Sequence, residues 1–183
     1  FTFDYTDAVG NTGSTTATVN NIDQTAPTAT IEYSTLLATS GSVVATLTGA
    51  SEPITITNNS GSNTFTFTSN GSFTFDYTDA VGNTGSTTAT VNNIDQTAPT
   101  ATIEYSTLLA TSGSVVATLT GASEPITITN NSGSNTFTFT SNGSFTFDYT
   151  DAVGNTGSTT ATVNNIFVPV PPVQPPVTGP GGG

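Results

Sequence analysis

Segments 23–94 and 95–166 are the same 72 residues, letter for letter, and 1–22 repeats the last 22 of them. Whatever one copy folds into, the other must be able to fold into as well. A period of this length is too long for one turn of a solenoid and suits a chain of small autonomous domains. The predicted organisation has four parts. Residues 1–22 are the C-terminal part of an incomplete repeat, its last two strands, F and G. Segments 23–94 and 95–166 are full repeats, and 167–183 is a Pro/Gly-rich linker. Identity without divergence favours a role in which number and length matter. With no initiator Met and no leader-like segment, the chain is expected to be an internal or processed piece of a longer protein.

Within a repeat the hydrophobic signal has period two. TATIEY at 28–33 puts Ala29, Ile31 and Tyr33 on one face, and VVATLT at 43–48 does so with Val43, Ala45 and Leu47. Ile54 and Ile56, Phe65 and Phe67, then Phe73, Phe75 and Tyr77, and finally Ala89 and Val91 continue the pattern. Those residues are the expected core. The opposite faces are mostly Thr, which suits an exposed strand surface. No helical periodicity occurs. Six strands in one repeat suggest an all-β fold of tandem immunoglobulin-like β-sandwich domains in a head-to-tail rod. Such a rod needs an odd number of traverses per domain. NNSGSN at 58–63 is therefore expected to carry the chain back across, as a short strand or an extended crossover. SNGS at 69–72 then makes the next corner, with a simple Asn-Gly hairpin as the competing reading.

The sequence has no Lys, Arg, His, Cys, Met or Trp, and twelve carboxylates give a net charge of −12. Without a cation, phosphate neutralisation fails, so no nucleic-acid partner is expected. Cys and His metal sites and Cys or His catalysis are excluded. No apolar run approaches the length of a membrane span, so no membrane insertion is expected in this segment. A carboxylate pair could run glycoside hydrolysis, but nothing marks a cleft, and the expectation is that the chain is not an enzyme.

In a sandwich of this type the N-terminus and two loops share one pole. That pole should gather Asp23, Glu52 and Asp79 in the first full repeat, and Asp95, Glu124 and Asp151 in the second. Three carboxylates with no cation nearby repel one another unless they are well solvated or hold a hard ion. Ca²⁺ takes six to eight oxygen ligands and accepts amide and backbone carbonyls. Asn83, with Asn20 or Asn21, could complete a shell. The other reading is structural: Asp, Gly and Asn are ordinary turn residues, and DAVGN can be a turn and nothing more. Asp7, in the partial repeat, lacks its Glu and linker Asp. A metal is therefore expected at the two later loops and not at the first.

DQTAP at 23–27, followed by the strand pattern and then YTDAVGNTG at 77–85, resembles the bacterial Ig-like repeats of large cell-surface adhesins. The resemblance covers both full repeats and the partial one. It implies an extracellular, cell-surface location and junction Ca²⁺ held by the linker Asp (Asp23, Asp95) and the turn Asp (Asp79, Asp151). The partners expected are neighbouring repeats of the same chain and identical chains in a filament. The function implied is a structural stalk or filament segment of a secreted, adhesin-like protein. The alternative is a multivalent glycan- or protein-binding module, with Thr-rich faces and Tyr33 or Tyr105 as the place to look. Alternating Thr also resembles ice-binding rows, although ordinary strand composition explains it. Asn58 and Asn70 match the N-glycosylation pattern. The 167–183 tail reads as a polyproline II spacer with a flexible Gly end, and PPVTG at 175–179 is one residue off a cell-wall sorting signal.

Overall fold

A computed structural model describes residues 1–168. The expected polyproline spacer and the near-match at 175–179 lie outside the described residues. The described residues divide into two compact units, one made of Phe1–Leu37 and Ser42–Ile94, the other of Ala38–Gly41 and 95–168.

The first unit begins with a hairpin, β1 (Thr2–Thr6) and β2 (Thr12–Thr16). Five longer strands and one short one follow. They are β3 (Thr30–Tyr33), β4 (Val43–Thr48), β5 (Thr55–Ile56), β6 (Thr64–Phe67), β7 (Gly71–Thr78) and β8 (Thr84–Val91). The second unit repeats them as β9 (Thr102–Tyr105), β10 (Val115–Thr120), β11 (Thr127–Ile128), β12 (Thr136–Phe139), β13 (Gly143–Thr150) and β14 (Thr156–Val163). Every pairing between these strands is antiparallel. The chain is all-β.

Each unit holds two three-stranded sheets, ordered β3-β4-β6 and β5-β7-β8 in the first, β9-β10-β12 and β11-β13-β14 in the second. The period-two residues meet between the two sheets of a unit. Val43, Ala45, Leu47 and Phe67 come from one sheet, and Phe75, Tyr77, Ala89 and Val91 from the other. Ala29, Ile31, Tyr33, Ile54, Ile56, Phe65 and Phe73 pack around them half-buried. Ile94 also closes this core, although no alternation announces it. Phe65 and Phe73 stack across the sheets with centroids 4.0 Å apart, each meeting Phe67 or Phe75 edge-on. Offset and edge-on contacts are the favoured aromatic geometries. The outward Thr rows bond across strands, Thr74 to Thr88 at 2.8 Å and Ser72 to Thr90 at 2.9 Å. That is ordinary strand-pair chemistry.

Segment 58–63 carries the chain from β5 in one sheet to β6 in the other, so the return crossover exists. It is not a strand: Asn59–Gly61 forms a 3-10 turn with Asn59 and Ser60 at φ 49° and 52°. The side chain of Asn58 ties it to β7, donating to the Thr74 carbonyl and to the Asp76 carboxylate at 2.8 and 3.0 Å. The chain turns a corner at 68–70 and not a hairpin, since β6 and β7 belong to different sheets; Gly71 and Ser72, expected in that corner, already belong to β7. β8 begins well before the apolar alternation does, because Gly85 and Ser86 carry no apolar side chain to signal it. A Cβ at Gly85 would collide with the Pro27 carbonyl oxygen and the Tyr77 ring. The strand therefore needs glycine at the point where pattern reading sees a turn.

The β1–β2 hairpin shares its sequence with 73–94. Phe3 and Tyr5 are 53% and 60% exposed, while their counterparts Phe75 and Tyr77 are 0% and 2% exposed. The same letters lie bare or buried according to whether a second sheet covers them.

Candidate metal centre

Asp79 ends β7 and opens the loop to β8. Its N–H donates to the Asn83 carbonyl at 3.0 Å, closing the loop. Its Oδ1 accepts the N–H groups of Val81, Gly82 and Asn83 at 2.9, 2.7 and 2.8 Å. Its Oδ2 accepts the Asn83 side-chain amide at 2.7 Å. Gly82 sits at φ 99°, a backbone region open to glycine. Asp151 makes the corresponding bonds to Val153 and Asn155. Asp7 makes them to Val9 and Asn11. The loop therefore forms without any neighbouring carboxylate, and the turn reading accounts for its shape. Oδ1 is saturated by donors, whereas Oδ2 keeps accepting capacity.

The three carboxylates do converge. One oxygen each from Asp23, Glu52 and Asp79 lie within 4.8 Å of one another, as do those of Asp95, Glu124 and Asp151. Asp23 is held by an Asx-type turn, its Oδ1 accepting the Thr25 N–H at 2.9 Å; Asp95 does the same with Thr97 at 3.0 Å. Asn83 bridges the group, its side-chain amide also reaching the Asp23 carbonyl at 3.3 Å. The equivalent bond from Asn155 to Asp95 is 3.0 Å. No comparable bond ties Asn20 or Asn21 to the cluster among the described residues.

The two kinds of carboxylate respond in opposite ways. Burial pushes the Asp79 carboxyl up, but hydrogen bonds from the Asn83 side chain and from the backbone of Asn83, Val81 and Gly82 outweigh it. The net effect holds it below its ordinary range. Asp151 behaves alike. Glu52 is raised, first by burial and then by the negative charges of Asp23 and Asp79. Glu124 is raised by burial, then by Asp95 and Asp151. Each site is thus a concentration of negative charge in which one member resists ionising.

No family model matches the chain, and no curated protein does.

The donor set fits a hard divalent cation. All donors are oxygens, and oxygens bound to one Ca²⁺ at about 2.3–2.6 Å lie at most roughly 5 Å apart. Asp23, Glu52 and the Oδ2 of Asp79 would hold the ion in the first unit; Asp95, Glu124 and the Oδ2 of Asp151 would hold it in the second. A bound cation would neutralise the repulsion that adds to burial in raising Glu52 and Glu124. Of the three aspartate loops, the one at Asp7 is the turn without the cluster.

Proposed function

We propose that this chain is a stalk segment of a secreted bacterial surface protein. It would space a tip or a neighbour from the cell by repeating one small sandwich, stiffened by Ca²⁺ at the acidic clusters. The observation that carries the reading is the pairing of two cores built from the same repeated residues with a matching three-carboxylate cluster in each. A unit that buries its own core can be multiplied freely, and multiplication without divergence serves length. The sheet orders β3-β4-β6 and β5-β7-β8 support the immunoglobulin-like reading, since they match its A-B-E and C-F-G pairings. The resemblance of the 23–27 and 77–85 motifs to adhesin repeats supports the surface location. Tyr33 lends little to a binding-module alternative, because its hydroxyl accepts the Thr90 N–H at 2.9 Å.

Two measurements test the proposal. Melting in Ca²⁺ and in EDTA should differ, with the higher Tm in Ca²⁺, and the difference should vanish in the Asp23→Asn/Asp95→Asn variant. Equal melting in both buffers removes the metal from the reading. Small-angle scattering on chains of two, three and four repeats should give a maximum dimension that grows by roughly 25–30 Å or more per repeat, the length of an eight-residue strand with its loops. A dimension that stops growing rules out a stalk.

A further inference from the structure

Four strands edge the two three-stranded sheets of each unit, apart from the β1–β2 hairpin with its own edges, and in the first unit three of the four are less suited to a partner than β6. β3 carries Glu32, and β5 has two residues. β8 is engaged on its outer side: the Thr90 N–H donates to the Tyr33 hydroxyl at 2.9 Å, and the Thr87 hydroxyl donates to the Ala29 carbonyl at 3.2 Å.

β6 is different. The Ser34 N–H donates to the Val44 carbonyl, and the Leu47 N–H to the Asn63 carbonyl. Even-numbered residues of β4 therefore bond toward β3, and odd-numbered ones toward β6. With the register Val44↔Thr66 and Ala45↔Phe65, antiparallel alternation turns the backbone groups of Phe65 and Phe67 inward to β4 and those of Thr64 and Thr66 outward. The outward groups of Thr64 are taken, its N–H by the Ser62 hydroxyl at 3.2 Å and its carbonyl by the Asn59 amide at 2.7 Å. Thr66 is exposed, and among the described residues its N–H and carbonyl have no partner. In the second unit Ser134 and Asn131 engage Thr136, and Thr138 is left in the same state.

Charge selects the occupant. Every copy of the chain carries −12 and no side-chain cation, so two copies repel over most of their surface. No carboxylate occurs in 33–51 or 53–75, the stretches that contain β4, β5 and β6. Glu32 lies on β3, two strands from β6, about 10 Å away and near the screening length at physiological salt. Asp76 faces outward on the other sheet. A basic partner would be drawn to the acidic cluster; a second copy of this chain meets little repulsion at β6. A strand edge is also self-complementary, because one residue presents both a donor and an acceptor.

We propose that this edge is a self-association surface, on which the β6 strands of two copies pair antiparallel about Thr66, with β12 doing the same about Thr138. The Thr66 N–H of each copy donates to the Thr66 carbonyl of the other, joining two three-stranded sheets into one of six. The contact is small, so association is weak and concentration-dependent.

Sedimentation equilibrium of the full chain, in EDTA and up to roughly millimolar concentration, tests it. The average mass should rise to at least twice the monomer mass. The double variant Thr66→Pro/Thr138→Pro should stay monomeric, because proline removes the outward N–H and is tolerated on an edge. Thr66→Asp/Thr138→Asp keeps the backbone donor but sets like charges opposite each other, and should also stay monomeric. If the proline pair does not fold, the aspartate pair decides. A monomeric wild-type chain, a variant that associates like wild type, or association that requires Ca²⁺ overturns the proposal. Because the runs contain EDTA, the result is independent of whether the acidic clusters bind metal.

Discussion

Glu52 and Asp79 sit in one cluster yet give stability opposite dependences on pH. Asp79, Asp151 and Asp7 have carboxyls held below their ordinary 3.8 by hydrogen bonds and are fully stabilising above that value. Their contribution is lost as pH falls through the lowered folded values. Glu52 and Glu124 are raised above 4.5. The folded state holds their protons more tightly, so their contribution is present below 4.5 and lost as pH rises through the raised values. Metal-free protein should therefore show a Tm maximum near pH 4, with a fall on the acid side and another as pH rises. Thermal melts of the Glu52→Gln/Glu124→Gln variant in EDTA should show a shallower fall above pH 4 than wild type and melt higher at pH 7. A variant that melts lower at pH 7 would mean that the glutamates are not repelled. The convergence of Asp23, Glu52 and Asp79 was legible from loop order alone, because a sandwich brings those loops to one end. The saturation of Oδ1 in Asp79 was not. Five-residue turn composition does not say how many backbone N–H groups point at one oxygen.

The corners of each unit depend on asparagine more than any pattern of apolar residues shows. Asn70 donates its side-chain amide to the Ile94 carbonyl at 2.8 Å and accepts the Ile94 N–H at 2.9 Å. One side chain thus substitutes for a pair of strand hydrogen bonds and closes the end of the core. Asn142 does the same with Ile166. Asn70→Ala leaves two backbone groups to find water at a half-buried place, and should cost about 1–3 kcal/mol in that unit. Urea unfolding of the Asn70→Ala/Asn142→Ala chain measures this, and a loss below about 0.5 kcal/mol per unit would show that water replaces both bonds. The side-chain amides of Asn58 and Asn70 are both occupied, although both match a glycosylation pattern. The strands themselves were legible where Thr alternates with a large apolar residue, as in 64–68 and 73–78. Three features were not: the early start of β8, which runs through Gly85, the left-handed turn at Asn59 and Ser60, and the amide clasp of Asn70. Each depends on a contact between residues distant in sequence or on a backbone angle, and alternation records neither.

At the scale of the whole molecule the dominant fact is charge of one sign. The described residues contain no helix long and apolar enough to cross a membrane, and twelve carboxylates share the chain with no basic side chain. Screening must therefore stabilise it. Raising NaCl from about 10 to about 500 mM shortens the Debye length from roughly 30 Å to below 8 Å, and should raise Tm at pH 7. The rise should be much smaller near pH 4, where the carboxylates begin to protonate, and a salt response unaffected by pH would point to some cause other than charge. The first hairpin has a different consequence. The 22 residues that contain it, 1–22, recur twice, with Phe75 and Phe147 alike at 0% exposure while Phe3 stands open. In a nuclear magnetic resonance spectrum the two buried sets should nearly superimpose and the bare set should resonate apart. The chain would then display its own sequence in two environments at a two-to-one intensity, carrying within one molecule the reference against which burial, metal and acid can be read.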